Sequence, residues 1–333
     1  MDALAWLLEP DTANPGVRYF ALTDLLGRPH NDPEVQAAQA AVMHSGPVPA
    51  ILAAQQADGS WAGPGPGYWP KYRSTVWSVT FLAMLGADRR DARVRAGCAY
   101  VLDHSRAPAP YRGFSAGGPS GMIHCLEGNL AAALLDLGWL GDSRLDEAID
   151  WLARSITGEE IAPAEDAKAV PRYYRSGNSG PGFACSANGH LPCAWGAVKA
   201  MLGLGKIPAE KRTPAVEKAI AAGIEFLLSR DPAVADYPMA WSAKPSESWF
   251  RFGYPLGYVT DLLQNLEALT ALGCGGDPRL RHAADLVLSK REQDGRWRMT
   301  YTYNGKMWAD IEEKGQPSKW VTLRALRVLR RAK

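Results

Sequence analysis

Between Val76 and Leu85 the chain carries no charged side chain. A helix that is apolar around its whole circumference belongs in an interior, with protein on every side. Five more stretches rich in apolar residues lie near 16–26, 123–137, 192–204, 257–272 and 318–330. Each reads as an inner helix. Five of the six end alike, at Leu26-Gly27, Leu85-Gly86, Leu137-Gly138, Leu204-Gly205 and Leu272-Gly273. Glycine just past the last turn supplies a left-handed C-cap.

Between these runs the pattern changes. Five starts follow the glycine stops: Asp32-Pro33-Glu34-Val35, Asp91-Ala92-Arg93-Val94, Asp142-Ser143-Arg144-Leu145, Thr213-Pro214-Ala215-Val216 and Asp277-Pro278-Arg279-Leu280. Asp or Thr accepts from the free N–H groups of a helix start, and proline at the first helical position loses no bond. The helices that follow are amphipathic, as Leu145, Ile149, Leu152 and Ile156 illustrate. Their charged face places them outside. The repeating unit is therefore an inner helix, a glycine stop and a capped outer helix.

The sixth inner helix has no outer partner after it, and the helix from Asp2 to Leu8 has no inner partner before it. Pairing these two closes the array. The expected fold is all-α, an (α/α)6 toroid of six helical hairpins with inner and outer rings, forming one domain over residues 1–333. An open solenoid of helix pairs is the alternative, but it needs polar end caps that Leu323, Leu326 and Leu329 do not supply.

Composition narrows the class. The chain is 333 residues long, 47% apolar and 22% charged, with a net charge of +2, enough for a large core and no argument for a nucleic-acid partner. No apolar run approaches a membrane span, and Met1-Asp2-Ala3 does not open a secretory signal. Five scattered cysteines do not make a disulfide framework, so a reduced, cytoplasmic setting is expected.

Two outer helices run into a glycine–tryptophan turn, Gln55-Gln56-Ala57-Asp58-Gly59-Ser60-Trp61 and Gln293-Asp294-Gly295-Arg296-Trp297. The first resembles the Gln-x-x-x-Gly-x-Trp motif of the squalene cyclase and protein prenyltransferase repeat superfamily. The second keeps Asp-Gly-x-Trp with Arg291 in the glutamine position. The resemblance implies a terpenoid cyclase-like toroid whose inner helices surround a cavity and point their N-terminal ends at the active-site side. The Asp-x-Asp-Asp acid of the class II cyclases is absent; the nearest sequence is Asp310-Ile311-Glu312-Glu313. No Asp-Asp-x-x-Asp is present, and 333 residues make one toroid where squalene-type cyclases carry two domains. A polycyclising triterpene enzyme is therefore not expected.

Chemistry concentrates at two inner-helix starts. Cys125 lies 13 residues before Gly138, Cys193 lies 12 before Gly205, and Asp261 lies 12 before Gly273, so all three fall at one level of a ring. Cys185 and His190 belong to the segment entering the fourth inner helix. Three readings stay open. In one, Cys125, Cys185, His190 and Cys193 hold Zn2+, as related toroids hold zinc with Asp, Cys and His. In another, Cys185 and Cys193 act without metal, with His124, Asp261 or Glu127 moving protons. That reading is similar to the cysteine pair of the linalool dehydratase-isomerase family. In the third, the cysteines and histidine are packing residues. Glu267 is expected to pair with Lys199. No nucleotide cofactor is indicated.

The segments before the inner helices are aromatic and basic. Tyr72, Arg73, Trp77, Tyr174, Arg175, Trp195, Arg251, Tyr254, Tyr258, Trp308 and Trp320 are the expected substrate contacts. Aromatic walls with a few cations suit a small apolar or amphipathic molecule, with an anionic group among the options. The functional expectation is an enzyme doing lyase, isomerase or cyclase chemistry on an isoprenoid-like substrate. The alternatives are zinc-dependent thiol or prenyl transfer, and an apolar-ligand-binding protein without turnover.

Overall fold

The computed structural model describes residues 2–163, 165–170, 172 and 178–332. Helix makes up 52% of the chain and the strands are two-residue pairs, so the protein is all-α. Among the described residues no helix is long and apolar enough to cross a membrane.

Thirteen helices follow in order among the described residues: α1 Ala3–Leu8, α2 Pro15–Phe20, α3 Pro33–His44, α4 Pro47–Ala53, α5 Thr75–Leu85, α6 Ala92–His104, α7 His124–Asp136, α8 Ser143–Thr157, α9 Ala194–Leu204, α10 Pro214–Leu228, α11 Leu262–Ala271, α12 Arg281–Ser289 and α13 Lys319–Arg331. Helix α2 continues into a π turn over Ala21–Leu25. Every residue of α5 except Met84 is buried, as its lack of charge requires.

The capped starts behave as their sequences ask. The side chains of Asp32, Asp91, Asp142, Thr213 and Asp277 each accept from a backbone N–H two or three residues on. Three of them, Asp91, Asp142 and Asp277, also hold the Arg two residues later in an ion pair. Glycine stops are left-handed at Gly27, Gly86, Gly138 and Gly273 (φ +67° to +87°). Gly205 departs from the pattern at φ −66° and stays right-handed.

The two glycine–tryptophan turns are built alike. Trp61 and Trp297 are fully buried. Each indole N–H donates to the carbonyl ten residues upstream, Ile51 O at 2.6 Å and Val287 O at 2.8 Å. Each backbone N–H donates to a threonine of a following helix, Thr75 Oγ1 and Thr322 Oγ1, both at 3.0 Å. Such a turn pins the end of α4 to α5 and the end of α12 to α13.

Inter-helix packing follows chain order. α5 packs on α7, α7 on α9, α9 on α11, α11 on α13, and α13 on α2. α2 approaches α5 closely, since a methyl group on Gly16 would sit 2.4 Å from Leu85 O. The amphipathic helices lie against these: α3 on α2, α6 on α5, α8 on α7, α10 on α9, and α12 on α11. Helix α1 packs on α13 and α2. The tightest pair is α7 and α9, where glycines let the backbones touch. A Cβ on Gly128 would lie 2.2 Å from the Lys199 carbonyl, and one on Gly203 2.9 Å from Gly128 O.

Candidate functional site

A cavity of about 210 Å³ opens at the N-terminal ends of α7 and α9. Ile123 and Cys125 come from α7 and its cap, and Cys193, Ala194, Trp195 and Gly196 from α9 and its cap. The segment preceding α9 adds Cys185, Ala187 and Asn188. The opposite wall is the stretch after α10, with Tyr237, Pro238, Met239, Trp241 and Trp249, and Tyr258 comes from the approach to α11. Among the described residues no lining residue is charged.

Local structure sets these positions. Residues 183–193 turn back on themselves: Cys193 N–H donates to Phe183 O at 2.9 Å and Cys185 N–H to Leu191 O at 3.2 Å. The turn is tipped by Gly189 and by His190, both with positive φ. Asn188 ties this hairpin to the opposite wall. Its Nδ2 donates to Pro192 O and Pro238 O, both at 3.0 Å, and its Oδ1 accepts from Ala240 N–H at 3.1 Å. Behind the wall, Tyr237 Oη donates to Leu227 O at 2.6 Å and Trp249 Nε1 to Pro232 O at 3.0 Å. Trp241 stands at the mouth, 68% exposed.

Three thiols form a row on the inner-helix side. Cys193 lies between Cys125 and Cys185, close enough that each perturbs its titration. Cys193, with burial, pushes the Cys185 thiol up despite N–H donation from Ala187 and Asn188. Cys125, with burial, takes Cys193 up to about 12, although Cys185 and the Gly196 N–H act the other way. Sulfur at a helix start would ordinarily be drawn toward thiolate. Here the neighbouring sulfurs and loss of water win, so Cys185 and Cys193 are neutral at pH 7. Tyr258 faces the row. Burial first, then Cys125 and Tyr68, push its phenol up.

The remaining expected site residues are elsewhere. His124 is buried beside α8, its Nε2 2.9 Å from Ser155 Oγ and its ring edge-on to Phe183. Because Ser155 Oγ donates to Leu152 O, the imidazole carries its proton on Nε2, leaving Nδ1 without a partner. Burial pulls this imidazole down to about 3, so it is neutral. Glu127 is buried near Gly113 and Trp151, with Oε1 unpartnered, and burial raises its carboxyl well above the usual range. Asp261 is fully buried, caps α11 through Gln264 N–H, and is bound by both terminal nitrogens of Arg324 at 2.8 and 2.9 Å. None of the three lines the cavity. The expected Glu267–Lys199 pair is corrected: Glu267 pairs with Arg324, and Lys199 with Gln264, because Arg324 from α13 reaches between the two carboxylates of α11.

The aromatic–basic segments do not meet over one opening. Trp195 and Tyr258 line the cavity. Tyr72 packs on Tyr303 and Trp77 at 4.4 and 5.2 Å, and Trp77 in turn neighbours Tyr258. Arg73 lies over Trp308 and donates to Met307 O at 3.2 Å. Arg251 pairs with Glu247. Tyr254 stacks on Trp320 at 4.2 Å, and Trp320 Nε1 donates to Asn14. Tyr174 and Arg175 lie outside the described residues. Of the expected zinc ligands, Cys125, Cys185 and Cys193 come together and His190 is exposed off the cavity. Among the described residues no group of three or more His, Cys, Asp or Glu is set to hold a metal ion.

Sequence reasoning missed the second wall. Tyr237, Met239 and Trp241 belong to a segment with no helix periodicity. The signal present was aromatic density around prolines, in Tyr237-Pro238-Met239-Ala240-Trp241.

No family model and no curated protein matches the sequence. Among solved structures, a crystal structure of a protein from Actinoplanes is similar at a TM-score of 0.41 and 15% identity, covering 96% of this chain and 90% of that one.

Proposed function

We propose that the chain is an (α/α)6 toroid of the squalene cyclase and protein prenyltransferase repeat type, one domain closed by α1 against α13, and that the thiol-lined cavity is its active site. The packing of the six inner helices in chain order, with α13 on α2, supports the ring. The paired geometry of Trp61 and Trp297 supports the repeat. Five free cysteines suit a reducing, cytoplasmic setting.

The observation that carries the functional reading is three neighbouring thiols on the wall of an aromatic cavity that has no charged lining residue among the described residues. Such a site takes a small apolar or amphipathic, isoprenoid-like substrate. At about 210 Å³ it is smaller than the roughly 300–1,000 Å³ of drug-sized sites, which favours a short alkenol or alkene over a polycycle. The reaction class is lyase or isomerase. In a dehydration, one thiol gives its proton to the departing hydroxyl, which leaves as water. The sulfur left as thiolate takes the proton of the neighbouring thiol, and that neighbour, now the thiolate, removes a proton from the adjacent carbon, so every sulfur ends protonated as it began. Aromatic faces stabilise the positive charge that builds up between the two steps.

The test follows tryptophan fluorescence and product formation with a set of short alkenols, in wild type and Cys193→Ala. Retained binding with turnover reduced by at least about 100-fold fits a proton-transfer residue. Turnover unchanged in the variant rules the reading out. Elemental analysis of both proteins covers the metal alternative: about one zinc per chain, lost with Cys193, would make the row a zinc site.

A further inference from the structure

Lys199 sits in the middle of α9 and is fully buried. Its only hydrogen-bond partner among the described residues is an amide: Nζ donates to Gln264 Oε1 at 2.5 Å. A buried ammonium is costly unless an anion faces it. The titratable and charged groups around it are Cys125 from α7, Asp261 and Glu267 from α11, and Arg324 from α13. Both carboxylates are already bound by Arg324.

What remains is the thiol row. Helical side chains lean toward the N-terminal turn, so Lys199 leans over Gly196, three residues back. Gly196 has no side chain there, and Cys125 Sγ lies 3.9 Å from where its Cβ would be. The α7–α9 contact holds this arrangement, since the Lys199 backbone lies against Gly128, one turn on from Cys125. Burial lowers the amine to about 7, and Cys125 is the neighbour that most favours its charged form.

We infer that Lys199 is the positioning residue of the thiol row, its ammonium standing behind Cys125 to balance the negative charge left when a thiol gives up its proton. The inference rests on the catalytic reading of the row. The proton goes to the substrate, the electron pair stays on sulfur, and the negative charge forming there holds the Lys199 amine in its protonated form. Gln264 holds the amine at the right depth.

Alkylation by iodoacetamide tests this, read cysteine by cysteine by peptide mass spectrometry across a pH series, with thermal melts as the fold check. Near neutral pH the row in wild type is expected to react at least about tenfold faster than in Lys199→Met. Superimposed pH profiles overturn the inference. Should Lys199→Met fail to fold, Gln264→Leu keeps the lysine and removes its amide acceptor. Reactivity at or above wild type then supports the pairing, and a drop of tenfold or more overturns it. Turnover by the alkylated wild type separates the two levels. Lost turnover with superimposed profiles removes the role of Lys199 alone, whereas full turnover after complete alkylation removes the catalytic row and with it the need for a counter-charge.

Discussion

Arg324→Met is the sharpest test of what holds α11 and α13 together. Arg324 is 2% exposed and Asp261 is fully buried. The guanidinium donates to both oxygens of Asp261 at 2.8 and 2.9 Å, to Glu267 at 2.8 to 3.2 Å, and to Gly253 O at 2.8 Å. Methionine keeps most of the apolar stem and removes every one of these bonds. Asp261 is left as a buried carboxylate with only the N–H groups of Gly253 and Gln264. Breaking a buried pair from one side costs roughly 3–5 kcal/mol. A chain of this length has an unfolding entropy of about 0.7 kcal/mol/K, so the melting temperature should fall by about 4–7 °C. The assay is a thermal melt by circular dichroism, with Arg324→Met/Asp261→Asn as the control. Removing both charges should recover about half of the loss or more. A single-variant drop below about 2 °C, or a double variant worse than the single, would refute the reasoning.

Two further outcomes follow from groups near the site. Glu127 keeps its proton in the folded chain to well above the usual carboxylate range, while in the unfolded chain it ionises near 4.5. The unfolded state therefore binds fewer protons above that pH, and stability falls as pH rises from there through the folded value. Glu127→Gln should match wild type in acid and exceed it at pH 8 in urea melts; an unchanged slope between the two would contradict this. Gly128→Ala gains about 1 kcal/mol of helix propensity but drives a methyl to 2.2 Å from the Lys199 backbone. Overpacking of this kind costs about 3 kcal/mol, so the variant should be less stable by about 2 kcal/mol, and a more stable variant would mean the two helices do not touch as described.

Much of the architecture was legible because it is written in local signals. Asp91 and Asp142 cap where their sequences say, and Trp61 and Trp297 serve the same turn. The helix expected from near 257, α11, starts at Leu262, because its approach is held by backbone bonds from Tyr258 and Val259 to Tyr303 Oη, a partner some 45 residues away. The site was half legible. Cys125, Cys185 and Cys193 stood out by type and by distance from their glycine stops. The second wall did not, since Trp241 and Trp249 owe their places to Asn188 and Pro232, contacts that no periodicity encodes. Asp261 looked like chemistry because a carboxylate at an inner-helix start is unusual. Its partner Arg324 lies 63 residues on, and only the fold brings the two together.

The glycine-mediated contact of α7 with α9 fixes more than stability. With the two backbones touching at Gly128 and Gly203, there is no side-chain layer between the helices to yield. Cys125 and Cys193 therefore keep their spacing whatever enters the cavity. The facing segment is long and irregular, and Asn188 joins it to the thiol side, so that wall is the one free to shift. On the function proposed above, the thiols stay in register while selectivity drifts in the facing stretch.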